Sequence, residues 1–304
     1  MIHPIPSGTR DVLPDELREL RAITDAMRTV FDAHEYGEVA TPALEYETVL
    51  TRGDSAAADP AYRLFDEHGN VLVLRSDMTI PIARVVATRY GTASPPLRFS
   101  YIASAYRAVK QHRGQPREIL QAGIELVGAP GPAGTAEAIT VLCAALDAAG
   151  LDSYRVGLGD ASLFSRALDR AGVHDTGPIL RELAAGDMVG LERELRAAGA
   201  VELLDIARAR GGVEIVPEGE PLREVYELLA EDVAGRVIFD LGLVRTLGYY
   251  TGPVFEVYDA AFGSPLGGGG RYDDLLGRFG RPLPACGWAL DVERVHAAAL
   301  GEGR

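Results

Sequence analysis

Cysteine, lysine and long apolar runs are nearly absent from this sequence. Of the 304 residues, only Cys143 and Cys286 are cysteines, and Lys110 is the only lysine. Two isolated cysteines, without CxxC or metal-ligand spacing, exclude a disulfide framework and fit a reducing cytoplasm. No apolar run approaches the ~20 residues of a membrane helix, and the N-terminus lacks the basic and apolar regions of a signal peptide. These absences predict a cytoplasmic protein with no membrane segment and no metal site.

Basic residues are also outnumbered, which bears on the kind of partner the chain can hold. Acidic residues number 44 and basic residues 30, for a net charge of −14. Proteins that grip nucleic acids neutralise phosphates with Lys and Arg, so an extended nucleic-acid footprint is disfavoured. The hydrophobic fraction of 47% is ample for a folded core, and the length predicts two domains or one core with an elaboration.

The first half of the chain does not alternate strands and helices as a parallel α/β sheet does. Hydrophobic periodicity predicts, in order, a helix over 14–34, a strand-like run over 36–46 ended by Pro42, a strand over 70–79, a helix over 80–91, and strands over 97–109 and 117–128 joined by a polar loop. This order favours an α+β fold with an antiparallel sheet.

A helical segment interrupts the strand-rich pattern. Short amphipathic pieces rich in Ala, Leu, Glu and Arg follow one another from 158 to 236, and strand-like sequence then resumes. The sequence therefore predicts a core built from 1–157 and 237–304, with a small helical insertion over 158–236.

The strand over 117–128 carries polar residues on one face. Side chains of one parity share a face of a strand, which groups Arg117, Gln121, Gly123 and Glu125. Such a face is either an exposed edge or the wall of a polar pocket, and the pattern does not decide between them. The preceding strand would add Tyr101 and Arg107.

Two further stretches have both a structural and a functional interpretation. Asp77 and Thr79 lie at a strand-to-helix junction, where they either cap the helix or receive an ammonium group. The stretch 245–258, RTLGYYTGPVFEVY, holds Arg245, Tyr249 and Tyr250 around turn chemistry, and it forms either ordinary strand structure or a pocket for a flat, polar ligand.

Motifs of familiar catalytic and cofactor sites are missing. The glycine run LGGGGRYDDL is not GxGxxG and lacks the strand–helix context of a dinucleotide site, so no cofactor is predicted. Its glycines instead favour close approach of the backbone to another segment or to a ligand. No Ser-His-Asp order, HExxH or Walker lysine occurs.

Taken together and in order, seven segments resemble histidyl-tRNA synthetase, a class II synthetase, over essentially the whole chain. They are PSGTRDVLP, VATPALE, RSDMT, YRAVKQHRGQPREILQAGIELVG, RTLGYYTGPVFE, GGGRYDDL and ACGWALDVERV. The resemblance implies an antiparallel sheet flanked by helices, and dimerisation through the first helix and the strand ending at Pro42. It also implies a histidine-binding set consisting of Asp77, Thr79, Arg107, Gln121, Glu125, Arg245, Tyr249, Tyr250 and Tyr272.

Several positions depart from the synthetase pattern. Val109 stands where the family has a glutamate, Gln115 where it has an arginine, Asp291 where it has a glycine and Gly248 where it has an aspartate. The sequence also ends at Arg304, where a synthetase would continue into an anticodon-binding domain. We therefore expect no tRNA charging and a weakened nucleotide site.

The departures resemble those of the regulatory subunit of ATP phosphoribosyltransferase, a non-catalytic synthetase paralogue. This resemblance implies feedback by L-histidine, a short-form catalytic chain as partner, and a homodimer within a larger hetero-oligomer. Two enzymatic alternatives remain: a free-standing amino-acid-activating ligase, supported by Arg107, Arg245 and Arg294, and a truncated histidyl-tRNA synthetase.

Overall fold

The computed structural model describes residues 5–53, 61–108, 116–244 and 248–302. Its strands are, in chain order, β1 (Gly37–Glu38), β2 (Leu44–Tyr46), β3 (Arg63–Phe65), β4 (Val71–Leu74), β5 (Leu97–Tyr106), β6 (Glu118–Val127), β7 (Arg155–Asp160), β8 (Arg210–Gly211), β9 (Val237–Asp240), β10 (Pro253–Asp259), β11 (Phe262–Arg271) and β12 (Ala285–Asp291). Its helices are α1 (Pro14–Ala33), α2 (Glu47–Gly53), α3 (Thr79–Arg89), α4 (Gly131–Ala148), α5 (Leu163–Arg170), α6 (Gly177–Ala185), α7 (Met188–Ala197), α8 (Leu204–Arg208), α9 (Pro221–Glu227), α10 (Glu231–Ala234), α11 (Leu275–Arg278) and α12 (Val292–Glu302).

A large mixed sheet organises the described residues. Its order is β1-β5-β6-β12-β11-β10-β7-β9-β8, while β2-β4-β3 form a separate small sheet. The central pairs, from β5 through β7, are antiparallel, and the pairs β1–β5 and β7–β9 are parallel. The predicted α+β fold with an antiparallel sheet flanked by helices is confirmed.

One face of the sheet carries the main hydrophobic core. Helix α1 contributes Leu20, Ile23, Met27 and Phe31, whose spacing of three and four residues forms a single apolar stripe. Helices α4 and α12 pack beside α1 over β6 and β12. Trp288 of β12 fixes this layer, because its indole N–H donates to the Ala138 carbonyl at 2.9 Å.

The opposite face holds a second, smaller apolar cluster that surrounds the candidate site. It joins α3, β5 and α11 with a group of tyrosines, among them Tyr101, Tyr249 and Tyr272. This cluster therefore mixes aliphatic side chains with aromatic rings that carry polar tips.

The run over 36–46 differs from the single strand expected from its composition. β1 pairs with β5 in the large sheet, whereas β2 pairs with β4 in the small one. The chain changes sheets at Thr41 and Pro42, whose carbonyls accept hydrogen bonds from the buried Arg75 guanidinium at 2.6 and 3.2 Å. Proline lacks the N–H that a continuous ladder needs, so the strand breaks there.

Helices α5 to α10 lie between β7 and β9 along the chain, while β7 and β9 themselves are paired in the sheet. Those from α5 to α8 enclose a cluster of their own, which includes Phe164, Leu168, Leu191 and Leu195. α9 and α10 instead pack against α4 of the main core.

Candidate functional site

A cavity of about 220 Å³ opens on the tyrosine-rich face of the large sheet. Its walls come from the start of α3, from β5 and β6, from the segment before β10, and from β11 and β12. Typical sites for drug-sized ligands measure about 300–1,000 Å³, so this cavity suits a smaller molecule such as a single amino acid.

Most of the sequence-predicted binding residues come together in this cavity. The described residues of that set that line it are Asp77, Thr79, Arg107, Gln121, Tyr249 and Tyr250. Glu125 and Tyr272 lie directly behind the wall, hydrogen-bonded to each other. Arg245, the remaining member, lies outside the described residues, as do Val109, Lys110 and Gln115.

Of the two residues at the strand-to-helix junction, Asp77 has the capping role that the sequence offered, and both Asp77 and Thr79 line the cavity. The Asp77 carboxylate accepts the backbone N–H of Ile80 at 2.9 Å, which caps the first turn of α3. Thr79 begins the helix and donates its hydroxyl to Glu125 Oε1 at 2.6 Å. These two hydrogen bonds fix the orientation of both side chains at the cavity wall.

Glu125 is a buried carboxyl group with two hydroxyl partners. Its exposed fraction is 1%, and its second oxygen accepts the Tyr272 hydroxyl. Burial raises the pKa of Glu125 to about 8, with a smaller contribution from the Asp77 charge, while the Thr79 and Tyr272 hydrogen bonds oppose the rise. In the ligand-free protein this group is therefore largely protonated at neutral pH.

A glycine keeps Glu125 close to the cavity. Gly287 lines the cavity, and a Cβ added there would lie 1.8 Å from Glu125 Oε2. The Glu125 carboxyl group thus occupies the space that a side chain at position 287 would need.

Gln121 presents an unsatisfied hydrogen-bonding group to the cavity. The side chain is 7% exposed, and its Oε1 has no hydrogen-bond partner among the described residues. Buried polar atoms are nearly always paired in native proteins, so this oxygen indicates a donor supplied by a ligand.

Tyrosines form the aromatic part of the site. The ring centroids of Tyr249 and Tyr250 are 4.9 Å apart, and Tyr272 meets Tyr249 edge-on at 5.6 Å. Tyr101 fills the gap left by Gly123, where an added Cβ would come within 2.5 Å of its hydroxyl oxygen. Burial raises the pKa of Tyr101, Tyr249 and Tyr272 well above the ordinary value, so all three hydroxyls stay protonated.

The other end of the cavity is charged. Arg107 and Arg294 line it together with Asp291 and Glu256. Arg294 Nε lies 3.0 Å from Asp291 Oδ2, and Glu256 accepts the Tyr258 hydroxyl at 2.6 Å. Burial raises the pKa of Asp291, against the opposing effects of the α12 backbone N–H groups and the two arginines.

Three of these residues were not in the sequence-predicted set, namely Glu256, Asp291 and Arg294. Glu256 lies between the apolar residues Phe255 and Val257 of β10, and this polar position in an apolar strand is its signal in the sequence. Asp291 and Arg294 were indicated only by the family resemblance, Asp291 as a departure at the nucleotide site and Arg294 as support for a ligase; the pairing of β12 with β6 places Asp291 beside Gln121.

The glycines of β11 serve strand packing and also line the cavity. A Cβ at Gly269 would lie 2.0 Å from the Gly287 carbonyl oxygen, and one at Gly270 would lie 2.8 Å from that of Pro253. Gly267 and Gly268 line the cavity wall. The predicted close approach of backbones is present here.

The described residues offer little for a metal site or a membrane segment. In the described part of the chain, no group of three or more His, Cys, Asp and Glu side chains is arranged to hold a metal ion. None of the helices over the same residues combines the length and apolar character that a bilayer crossing demands.

Comparison with known proteins points in one direction. A family model described as histidyl-tRNA synthetase matches residues 8–295. A relative from Symbiobacterium thermophilum, called ATP phosphoribosyltransferase regulatory subunit, is 41% identical over 321 aligned positions, which cover 98% of this chain and 80% of the relative. A relative of the same description from Rubrobacter xylanophilus is 39% identical, with 95% of this chain and 75% of the relative covered.

Solved structures agree with these relatives. A Bacillus halodurans protein titled ATP phosphoribosyltransferase regulatory subunit/histidyl-tRNA synthetase superposes with a TM-score of 0.89 at 31% identity, covering 98% of this chain and 84% of that one. The chain is thus similar in sequence and in fold to proteins of one family, and the predicted class II synthetase-like fold is confirmed.

Proposed function

The chain belongs to the histidyl-tRNA synthetase family, among its ATP phosphoribosyltransferase regulatory subunits, and on this premise we propose that it is a non-catalytic regulatory subunit that binds L-histidine in the cavity. In this proposal the chain supports a short-form catalytic subunit at the first step of histidine biosynthesis. It takes part in feedback by histidine, and the reaction itself takes place on the partner.

The observation that carries the proposal is the amino-acid-sized cavity with Gln121 in its wall. The unsatisfied Gln121 oxygen accepts a ligand N–H, and the tyrosine rings frame a planar side chain. Imidazole is planar and has two ring nitrogens, so it matches both features. Asp77 supplies the negative charge for the ligand's ammonium group.

The Glu125 carboxyl group adds selectivity in this proposal. The Thr79 and Tyr272 hydroxyls hold the Glu125 carboxyl group in place, so an imidazole N–H that reaches it finds an acceptor already oriented. A site built around such polar groups rejects apolar side chains of similar size, because those leave the polar groups unpaired.

The charged end of the cavity supports a binding role over an amino-acid-activating one. Among the described residues, two arginines there face two carboxylates, so these four side chains together offer no net positive charge to a triphosphate. The sequence departures at Val109 and Gln115 agree with this, although both lie outside the described residues.

The assembly and its location complete the proposal. Histidine binds one state of the complex more tightly and shifts its population, with a coupling of ~1–3 kcal/mol that suffices for graded feedback. The chain forms a homodimer within a hetero-oligomer in the cytoplasm, and it neither charges tRNA nor contacts a membrane. The two buried, unpaired cysteines fit a reducing compartment.

Two measurements on the purified chain test this function. We expect calorimetry to show saturable binding of L-histidine, lost in Glu125→Ala and kept in Glu118→Ala, an exposed residue on the same strand. We also expect no histidine-dependent ATP–pyrophosphate exchange, with an active synthetase as positive control. Robust exchange would replace the regulatory function with the ligase alternative, and absence of histidine binding would remove the proposed ligand.

A further inference from the structure

Asp291 lies where a bound anion would be expected. It precedes the 11-residue helix α12, and its Oδ1 accepts the backbone N–H groups of Glu293 and Arg294 at 3.1 and 3.2 Å. Its Oδ2 pairs with the Arg294 guanidinium at 3.0 Å. Helix N-termini beside arginines are common sites for phosphate and carboxylate groups, and here the protein's own carboxylate fills the position.

The neighbouring groups show that this position belongs to the cavity. Asp291 pairs in register with Gln121, whose buried amide oxygen lacks a partner among the described residues. Asp291 and Arg294 also line a second groove of about 900 Å³ on the α1 side. The pair therefore forms part of the partition between the ligand cavity and this groove.

We propose that Asp291 is a specificity-determining residue, an internal anion that closes this end of the cavity to phosphate-bearing ligands and leaves room for a free amino acid. The inference rests on the proposed function and defines its ligand class. With Asp291 ionised, two described arginines face two carboxylates; without its charge, Arg107 and Arg294 face only Glu256 among the described residues, and no negative charge offsets the positive end of α12.

The test uses inorganic pyrophosphate as the probe and calorimetry on the full chain. Asp291→Asn keeps the shape and a capping oxygen and removes the charge, whereas Asp291→Glu keeps the charge. We expect weak or no pyrophosphate binding to the wild type and to Asp291→Glu. Asp291→Asn should bind it at least about tenfold more tightly. In a partly buried site, the repulsion between one unit charge and an anion a few ångströms away corresponds to more than a tenfold change in affinity.

A second substitution shows where the probe binds. In the double variant Asp291→Asn, Arg294→Gln, the gained pyrophosphate binding should be lost. If Asp291→Asn does not fold, Asp291→Ser replaces it, since serine also caps helices. An equal gain in Asp291→Glu, no gain in the uncharged variants, or retention of the gain in the double variant would each overturn the proposal.

The failure of this inference can be distinguished from failure of the proposed function. Histidine binding to the wild-type chain tests the function and does not involve pyrophosphate. A pyrophosphate gain without histidine binding would leave Asp291 as the residue that excludes anions and would remove only the ligand assignment.

Discussion

Glu125 makes the stability of the ligand-free protein depend on pH. Burial raises its folded-state pKa from 4.5 to about 8, so between these values the folded chain holds a proton that the unfolded chain has released. Stability therefore falls as the pH rises through this window. Each unit of pKa difference is worth about 1.4 kcal/mol, so the full effect reaches about 5 kcal/mol.

Glu125→Gln should remove this dependence. The amide keeps a carbonyl oxygen to accept a hydroxyl and never ionises, so we expect the variant to gain stability relative to the wild type as the pH rises from about 5 to about 8. Urea unfolding over that range, with Glu118→Gln as control on the same strand, measures the difference. If the stability of the wild type and of Glu125→Gln changed with pH in parallel, the pKa of Glu125 would not be raised in the folded protein, and the buried group would be ionised.

At the residue scale, the alternation of β6 was readable from the sequence, but its environment was not. Parity grouped Gln121 with Glu125 and placed Ile124 and Leu126 opposite, and the structure has the latter two in the main core. Whether the polar face was exposed depended on segments far away in the chain: Gly287 of β12 pairs with Glu125, and the Tyr272 hydroxyl donates to the Glu125 carboxyl group. Only tertiary pairing could decide this.

At the scale of elements, long periodic segments were predictable and short ones were not. α1 closely follows the predicted helix over 14–34, and β5 and β6 lie within the predicted strands. β1 and β2 are two and three residues long, too short for periodicity to separate them. β7 extends to Asp160, three residues beyond the predicted boundary at 157, because it keeps its pairing with β10.

A cavity made by mutation in the hydrophobic cluster of α5 to α8 should destabilise the proposed insertion, residues 158–236, without unfolding the rest of the chain. Leu195 of α7 is fully buried there, and Leu→Ala changes at such sites cost about 2–5 kcal/mol. We expect Leu195→Ala to speed hydrogen exchange and proteolysis of α5 to α8 while histidine still binds. Val189→Ala on the same helix is the control, since Val189 is 81% exposed. Equal loss of protection in the large sheet would show that the insertion does not unfold separately.

At the scale of the whole molecule, the charge distribution and the family membership bear on the same question, namely what the chain binds. A net charge of −14 disfavours a polyanion as partner, in agreement with a role beside a catalytic protein chain. The role of a regulatory subunit was predicted from the sequence motifs and from the positions at which they depart from the synthetase pattern. The contacts of Asp291 with α12 and with Arg294 required the structure.

Feedback in the assembled complex should depend on the cavity of this chain. We expect co-expression with a short-form catalytic subunit to give one complex whose phosphoribosyltransferase activity is inhibited by L-histidine. With Glu125→Ala the complex and its uninhibited rate should persist, while the histidine concentration for half-inhibition rises at least about tenfold, the lower range of typical couplings. Glu118→Ala provides the matched control. A ligand shifts only an equilibrium whose states it binds unequally. If inhibition is unchanged in Glu125→Ala although the isolated chain no longer binds histidine, the inhibitory histidine binds elsewhere in the complex.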